Sequence, residues 1–249
     1  MRRSLALLAA VVLGPLLAVG VAAQPGSAAP VNPLSAVDIG RQAYEYGLPL
    51  LEFERVRREE TSVRCPDHVG NAPVNTFAHA DKFLDPTFRD VVAPNTDTLY
   101  SITQLDLGRG PVVLSYPDMG TRYFSFAMLD PFTNVVATPG AREDGSRAAS
   151  VLVRWAGKPG RVDEGRFSRV VSSPYRHLWV IGRTLATTLA DQRRAYAAMQ
   201  EYAISRPNGT MFRAPADCAS RMRFEKPKSY PVPTTGKEFL GQLGEALKL

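Results

Sequence analysis

The side chains best suited to chemistry lie in a short stretch at residues 94–100, which reads PNTDTLY. Asn95, Asp97 and Thr98 follow a proline and precede the start of a strand-like run. Such residues can form a capped turn with no chemistry, because Asn and Asp side chains hydrogen-bond nearby backbone amides. They can also present hydrogen-bonding groups to a ligand at the mouth of a sheet. The sequence leaves both interpretations open.

Acid–base chemistry has one candidate pair, His79 and Asp97. His79 is flanked by alanines in a polar, loop-rich stretch. It could act as a general acid or base with Asp97 beside it, while Asn95 or Arg122 stabilises developing charge. The alternative is a structural histidine whose ring is hydrogen-bonded to the backbone.

Two arginines, Arg122 and Arg183, occur in strand-like runs of mainly apolar residues. Each must find a carboxylate or reach a pocket mouth, because an unpaired buried charge is costly. One possibility is internal pairing with Asp97 or Asp130. The other is that the guanidinium groups hold an anionic or polyhydroxylated ligand.

Other kinds of site find little support in the sequence. It contains no nucleophile elbow, paired-histidine zinc helix, phosphate loop or dinucleotide fingerprint. The two cysteines and three histidines lack metal-ligand spacing, so we predict no metal and no cofactor. The formal net charge of +6 is scattered among acidic residues, which predicts no nucleic-acid partner.

The N-terminus predicts export. Arg2 and Arg3 precede an uncharged run, and Val21 and Ala23 supply the small residues of a cleavage site, so residues 1–23 are predicted to be a signal peptide. An uncleaved membrane anchor is the alternative, because the run is nearly long enough to span a bilayer. We favour cleavage, which gives a secreted protein with a flexible leader at 24–34 and no stable membrane anchor.

Cys65 and Cys218 are an even pair. In an oxidising compartment they could form a disulfide between the early and late parts of the chain. Spacing alone does not establish the pairing, because the geometry of the fold could forbid it.

The elements that must position these side chains are mainly strands. Ser35 is a predicted N-cap, and a helix from it is expected to break at Gly47 and Pro49 before a second helix at 50–60. Short strands separated by Gly and Pro turns follow a long loop at 61–90. The pattern predicts an α+β, mainly β fold: an antiparallel, immunoglobulin-like β-sandwich with N-terminal helices and one late helix at 189–205.

The end of the chain has its own organisation. Residues 206–235 are rich in proline and predict an extended linker. Residues 236–249 predict an amphipathic helix whose apolar face must be buried. That face could pack on its own domain or against a partner domain or chain.

Several motifs together resemble a bacterial family known as domain of unknown function 1254 (DUF1254). They are His79, Phe83, Asp85-Pro86, the run from Pro94 to Ser101, Pro117-Asp118, the run from Gly120 to Phe124, Leu129-Asp130, Asn134, and the run from Trp179 to Thr184. The resemblance covers residues 35–205 and implies a β-sandwich-like domain that is commonly exported. Family members usually continue into a second, jelly-roll-like domain of the DUF1214 type, which this sequence lacks.

Polar residues of these motifs complete the predicted site. The predicted ligand-binding residues are Asn75, Asn95, Thr98, Tyr100, Arg122, Asp130, Asn134 and Arg183, with His79 and Asp97 as the catalytic candidates. Three functions follow: binding of a small polar or anionic ligand outside the cell, which we favour; a hydrolase-like or other acid–base enzyme; and a truncated, inactive family member. The last predicts poor burial of the C-terminal helix.

Overall fold

The computed structural model describes residues 35–85, 94–158, 161–220 and 225–248. The predicted signal peptide and leader lie outside these ranges, as do residues 86–93, which lead into the PNTDTLY stretch. Within the described ranges, no helix combines the length and apolar character needed to cross a membrane.

The first helix, α1 (Ala36–Glu60), is continuous for 25 residues. It begins at the predicted cap, where the Asp38 amide donates to the Ser35 hydroxyl oxygen at 3.2 Å. The predicted break at Gly47 and Pro49 is wrong, so there is one N-terminal helix rather than two.

Side-chain interactions explain why α1 continues past its proline. Pro49 lacks the N–H that would bond to the preceding turn. Beyond it, Arg55 forms ion pairs with Glu52 at 2.9 Å and with Glu59 at 2.7 Å. Such pairs one turn apart stabilise a helix. The side chains of Leu50 and Leu51 are buried, and this packing stabilises the same segment.

The described residues contain nine strands, which form two sheets. They are β1 (Ala78–His79), β2 (Thr98–Asp106), β3 (Val112–Tyr116), β4 (Phe124–Leu129), β5 (Val135–Ala137), β6 (Ala149–Trp155), β7 (Arg169–Ser173), β8 (His177–Leu185) and β9 (Ala203–Ser205). The strand order is β1-β2-β8-β4-β5 in one sheet and β7-β6-β3-β9 in the other. The described fold is α+β and mainly β, as predicted.

The prediction of a purely antiparallel sandwich needs a correction. β6 and β7 pair in parallel, whereas the other strand pairs in the described residues are antiparallel. The connection between β6 and β7 runs through a short 3₁₀ turn (Glu164–Arg166), which brings β7 back in the same direction. The immunoglobulin-like arrangement stays a prediction.

One core lies between the two sheets. Inward side chains of β2 and β4 meet those of β3 and β6 in a single apolar cluster. Tyr116 of the smaller sheet packs edge-on against Phe124 of the larger one, with ring centroids 4.8 Å apart. Packing of this kind fixes the larger sheet against a rigid layer.

The late part of the fold differs from its prediction in one element. Helix α2 (Leu189–Met199) ends earlier than predicted, because residues 203–205 form β9 instead. Ile204 of β9 is 2 % exposed and pairs with Leu114 of β3. Burial of Ile204 in the core therefore overrides the local helical pattern.

The proline-rich segment runs beside the C-terminal end of α1. The Lys228 amide donates to the Ser62 hydroxyl oxygen at 2.8 Å, and the Tyr230 amide donates to the Glu59 carboxylate at 3.0 Å. A disulfide joins Cys65 to Cys218, with their Cα atoms 5.4 Å apart. These links hold the segment to the body of the fold.

The last helix, α3 (Gly236–Ala246), packs on α1. Its apolar residues Phe239, Leu243 and Ala246 are buried. A Cβ added at Gly47 would lie 2.7 Å from a Leu243 methyl carbon, so the glycine permits the close approach of the two helices. The poor burial expected of an inactive remnant is not observed, and the helix is covered by its own chain.

This packing generates a prediction for Leu243. Replacing Leu243 with Ala should lower the free energy of unfolding by about 2–4 kcal/mol, because it leaves a cavity between α1 and α3. Leu240→Ala is the matched control, since Leu240 is 54 % exposed on the same helix. Urea unfolding of both variants measures the difference. Equal losses for the two leucines would contradict the packing of α3 on α1.

Candidate functional site

Three strand ends of the larger sheet meet at one corner. The start of β2, the end of β8 and the start of β4 are neighbours, because Tyr100 pairs with Arg183 and Arg183 pairs with Ser125. We call this region the corner and define it as residues 94–100 and 122–125 together with Arg183. Six of the ten candidate residues lie here: Asn95, Asp97, Thr98, Tyr100, Arg122 and Arg183.

The PNTDTLY turn is built by Asn95. The Asn95 side-chain oxygen accepts hydrogen bonds from the Thr98 amide at 2.8 Å and the Thr98 hydroxyl at 2.7 Å. The Asn95 amide donates to the Tyr100 hydroxyl oxygen at 3.2 Å. The Asn95 side-chain oxygen and the Thr98 hydroxyl therefore form hydrogen bonds within the turn, as the capping interpretation predicts. The Asn95 side-chain nitrogen is buried and has no partner among the described residues.

Arg122 is neutralised within the fold. Its guanidinium donates to both carboxylate oxygens of Asp191, at 2.8 and 3.0 Å, and also to the Leu185 carbonyl oxygen. The hydrogen bond to Asp191 raises the pKa of Arg122, and the same contact holds the pKa of Asp191 below its usual range. Of the two alternatives for Arg122, internal pairing is the one observed, although with a different acid.

Sequence reasoning missed Asp191. It is the third residue of α2, where the Thr188 hydroxyl oxygen accepts a hydrogen bond from the Asp191 amide. The Thr-x-x-Asp spacing is a helix-start signature and could have located Asp191 at the beginning of α2. It could not have shown that α2 packs against β2 and β8, which places Asp191 within reach of Arg122.

Arg183 differs from Arg122 in its neighbours, because it contacts an aromatic ring and not a carboxylate of the described residues. Its guanidinium carbon lies 5.5 Å from the centroid of the Tyr100 ring, so the cation rests over an aromatic face. Within the described residues Arg183 forms no salt bridge, and neither Asp97 nor Asp130 pairs with it. The residue is half-buried. Among the described residues, the positive charge of Arg183 therefore lies over the Tyr100 ring and has no carboxylate partner.

His79 lies on the inner face of the larger sheet. It pairs with Ser101, and its Nδ1 is 2.9 Å from the Ser101 hydroxyl oxygen. Its ring stacks on Phe77 with centroids 5.3 Å apart. Burial lowers the pKa of His79 to about 4, with a smaller effect from the charge of His68, so the imidazole is neutral at pH 7.

The structure does not join His79 to Asp97. Ser101, the partner of His79, is four residues after Asp97 along the chain, which corresponds to about 13 Å of extended strand. The two candidate side chains form no hydrogen bond, and Asp97 is exposed. The structural interpretation of His79 fits its geometry, although its hydrogen bond is to a hydroxyl rather than to the backbone.

The remaining candidates lie at the opposite end of the larger sheet and hold loops. Both polar atoms of the Asn75 amide bond to the backbone of Asp106, at 3.0 and 3.4 Å. Asp130 accepts from the amides of Phe132 and Asn134 at 2.9 Å, and from the Asn134 side chain at 3.0 Å. Asn75, Asp130 and Asn134 are thus separated from the corner by the length of the strands.

A charged cluster that sequence reasoning missed lies at that opposite end. The Nδ1 of His177 is 3.2 Å from the Glu54 carboxylate, and its Nε2 is 3.6 Å from Asp106. Burial acts to raise the pKa of Glu54, but hydrogen bonds from His177 and Arg57 outweigh it and lower this pKa to about 2. The charge pattern of residues 52–60 is typical of a solvated helix face, but Glu54 is 4 % exposed.

This cluster attaches α1 to the larger sheet. Glu54 belongs to α1, while Asp106 and His177 are the paired ends of β2 and β8. Arg176 donates to both oxygens of Asp106, at 2.7 and 2.8 Å. A cleft of about 150 Å³ beside it is lined by Glu54, His177 and aromatic side chains. No group of three or more potential metal ligands occurs in the described ranges.

Glu60, the last residue of α1, is a half-buried acid that faces the larger sheet. Its carboxylate accepts a hydrogen bond from the Gln104 side chain at 2.7 Å. Burial raises the pKa of Glu60 to about 7; the hydrogen bond from Gln104 opposes this shift, and the charges of Asp67 and Glu59 add to it. Glu60 therefore changes charge near neutral pH.

The fold and the corner define an α+β, mainly β protein in which Arg183, at a junction of three strands, has no carboxylate partner within the described ranges. Residues 74–206 match the family described as "Protein of unknown function (DUF1254)", and the chain belongs to this family. The match covers the corner, β1 to β9 and α2, and leaves out α1 and α3. No match was found among curated proteins.

Two solved structures match the chain, and the first of them is similar in fold. The VPA0106 protein from Vibrio parahaemolyticus is 22% identical with a TM-score of 0.57, over 86% of this chain and 47% of the other. A putative uncharacterized protein from Burkholderia cenocepacia is 13% identical with a TM-score of 0.34, over 86% of this chain and 50% of its own. The chain thus spans about half the length of both proteins.

The raised pKa of Glu60 generates a prediction for the pH dependence of stability. Because the folded state binds this proton more tightly than the unfolded state, stability should fall as pH rises from about 4.5 to about 7. Glu60→Gln removes this loss, so the variant should be more stable than the parent at pH 8 by about 1–3 kcal/mol. At pH 4 the two should be nearly equal.

Urea unfolding at pH 4 and pH 8 measures this effect. Glu201→Gln serves as the control, since Glu201 is an exposed glutamate and its replacement should change neither value appreciably. A Glu60→Gln variant that shifts stability equally at both pH values would contradict the raised pKa.

Proposed function

We propose that the chain is an exported binding protein whose corner holds a small anionic ligand through Arg183. The single observation that supports this is the guanidinium of Arg183, which rests on Tyr100 without a carboxylate partner in the described residues. A half-buried cation without a counter-charge costs free energy, and a bound anion would recover it.

The neighbours of Arg183 favour an anion over a cation. Tyr123 and Ser125 place hydroxyl groups at the start of β4, where the Tyr123 hydroxyl donates to the Ser125 oxygen at 3.3 Å. Such groups can donate hydrogen bonds to a carboxylate, phosphate or sugar oxygen. Contact with the Tyr100 ring restricts the Arg183 side chain, which lowers the entropy lost when an anion binds to it.

The pairing of Arg122 supports this assignment to Arg183. Since both carboxylate oxygens of Asp191 accept hydrogen bonds from Arg122 and balance its charge, the guanidinium of Arg122 contributes to the position of α2 rather than to a ligand. The corner then carries one unneutralised arginine among its described residues. An enzyme based on His79 and Asp97 has less support, because His79 bonds to Ser101 and not to Asp97.

Export is the second part of the proposal. The disulfide between Cys65 and Cys218 supports it, because such bonds persist mainly in oxidising compartments. The bond ties the C-terminal end of α1 to the proline-rich segment, across 153 residues of sequence. Small anions outside the cell would then be the ligands available to the corner.

The proposed anion site generates a prediction for Arg183. Succinate, inorganic phosphate and galacturonate should be titrated into the full chain, with isothermal calorimetry as the measurement. Arg183→Gln should weaken the binding of any active anion by tenfold or more, because it removes a charge-assisted, two-point contact worth about 1.5–3 kcal/mol.

Arg206→Gln is the matched control. Arg206 also lies over an aromatic ring, 5.1 Å from the centroid of Phe212, but outside the corner. Its replacement should leave anion binding unchanged. If none of the three anions binds the parent, or if both variants weaken binding equally, the assignment to Arg183 is wrong.

The proposed export of the chain generates a separate prediction. Expression from the full gene in a bacterium should give a protein outside the cytoplasm whose N-terminus is Gln24, read by mass spectrometry of the intact chain. Cys65 and Cys218 should resist alkylation until a reductant is added. Residues 1–23 retained on a cytoplasmic chain with two free thiols would contradict this part of the proposal.

A further inference from the structure

The outer face of the larger sheet continues from the corner as an apolar row. Side chains alternate across a sheet, so Ile181 follows Arg183 on the same face of β8. In register with Ile181 are Ile102 on β2 and Ala127 on β4. Trp179 is the next residue of β8 on this face.

This row is only partly covered by the rest of the described chain. Ile102, Ala127 and Ile181 are each half-buried, whereas Phe126 and Val180 on the inner face are 1 % and 0 % exposed. A Cβ added at Gly70 would lie 3.5 Å from the Ile102 side chain, so the loop containing Gly70 forms a wall beside the row. The opposite end of the sheet is covered by α1 through Glu54 and Glu60.

The row and Arg183 are close enough to contact one ligand. Residues two apart on a strand are separated by about 7 Å, and adjacent strands by about 4.8 Å. A ligand whose anionic group meets Arg183 can therefore place a short apolar chain over Ile181 and Ala127. A purely polar anion would leave this apolar surface in water.

We propose that the ligand of the corner is an amphiphilic carboxylate, with its carboxylate on Arg183 and its apolar tail along Ile181. This inference rests on the proposed function and names the chemical class of the ligand. The charge of Arg183 selects the carboxylate, and the half-exposed row of Ile102, Ile181 and Ala127 selects the tail. The loop at Gly70 bounds the row on one side.

Trp179 supplies an internal reporter of the tail. The chain has two tryptophans, and the other, Trp155, belongs to the smaller sheet. Trp155→Phe therefore leaves Trp179 as the single indole signal. A tail that reaches past Ile181 should shift or quench this fluorescence, whereas an anion confined to Arg183 should not.

The experiment titrates the full chain carrying Trp155→Phe with butyrate, hexanoate and octanoate, all below their micelle concentrations. Succinate tests the anion alone, and 1-hexanol tests the tail alone. Affinity should rise about two- to fourfold for each added methylene group, because each one buried leaves water. Octanoate should change the Trp179 signal, and 1-hexanol should bind at least tenfold more weakly than hexanoate.

Two variants separate the parts of the ligand. Ile181→Thr keeps a β-branched side chain on the strand but removes apolar surface, so octanoate binding should weaken at least fivefold while succinate binding is unchanged. Arg183→Gln should weaken the binding of all carboxylates. Val170→Thr is the control for Ile181, since Val170 is a half-buried valine on β7 in the other sheet.

The outcomes distinguish the two proposals. Affinity that does not depend on chain length, with Arg183→Gln still weakening every anion, overturns the amphiphile and leaves the anion site. Absence of binding by all of the carboxylates overturns both. Octanoate binding that responds equally to Ile181→Thr and Val170→Thr overturns the assignment of the tail to this face.

Discussion

The pairing of β2 with β8 is the constraint on which the rest of the structure depends. The two strands are antiparallel and in register over their whole length, from Thr98 with Leu185 to Asp106 with His177. Because the register is continuous, it determines both ends of the sheet together. At one end it puts Tyr100 beside Arg183, and at the other it brings Asp106 to His177. A slip of one residue in this register would exchange the inner and outer faces of the strand and separate both pairs of residues.

The two ends of these strands differ in how their charged side chains are paired. At the end covered by α1, burial is extensive and each acid of the cluster has a partner, as in the contacts of Glu54 with Arg57 and His177. Removing one member would leave an uncompensated buried charge, which explains why the cluster can hold a long helix in place. At the corner, Arg122 follows the same rule through Asp191, but Arg183 does not. This exception is what gives the corner its chemical character.

Hydrogen bonds within loops also explain why three of the predicted ligand-binding residues lie outside the corner. Asn75, Asp130 and Asn134 are polar residues in loops. The side chains of Asn75 and Asp130 bond to backbone groups that a loop would leave unpaired, and the Asn134 side chain bonds to Asp130. Such residues share a composition with binding residues, so type alone cannot separate them. Position can, because all three lie away from the junction of β2, β8 and β4. Membership of the DUF1254 family gives the corner no assigned role, and the role that we propose for it rests on its geometry.

The sequence by itself determined the mainly β class, the helix start at Ser35 and the turn at Asn95. These features depend on neighbours in the chain: alternation of apolar residues, capping side chains and proline. Tertiary structure decided the continuity of α1 through Pro49, the strand at Ile204, the parallel pairing of β6 with β7, and the choice of Asp191 as the partner of Arg122. Each depends on residues far apart in sequence, whose burial and charge neutralisation outweigh local preference once the two sheets and three helices pack together.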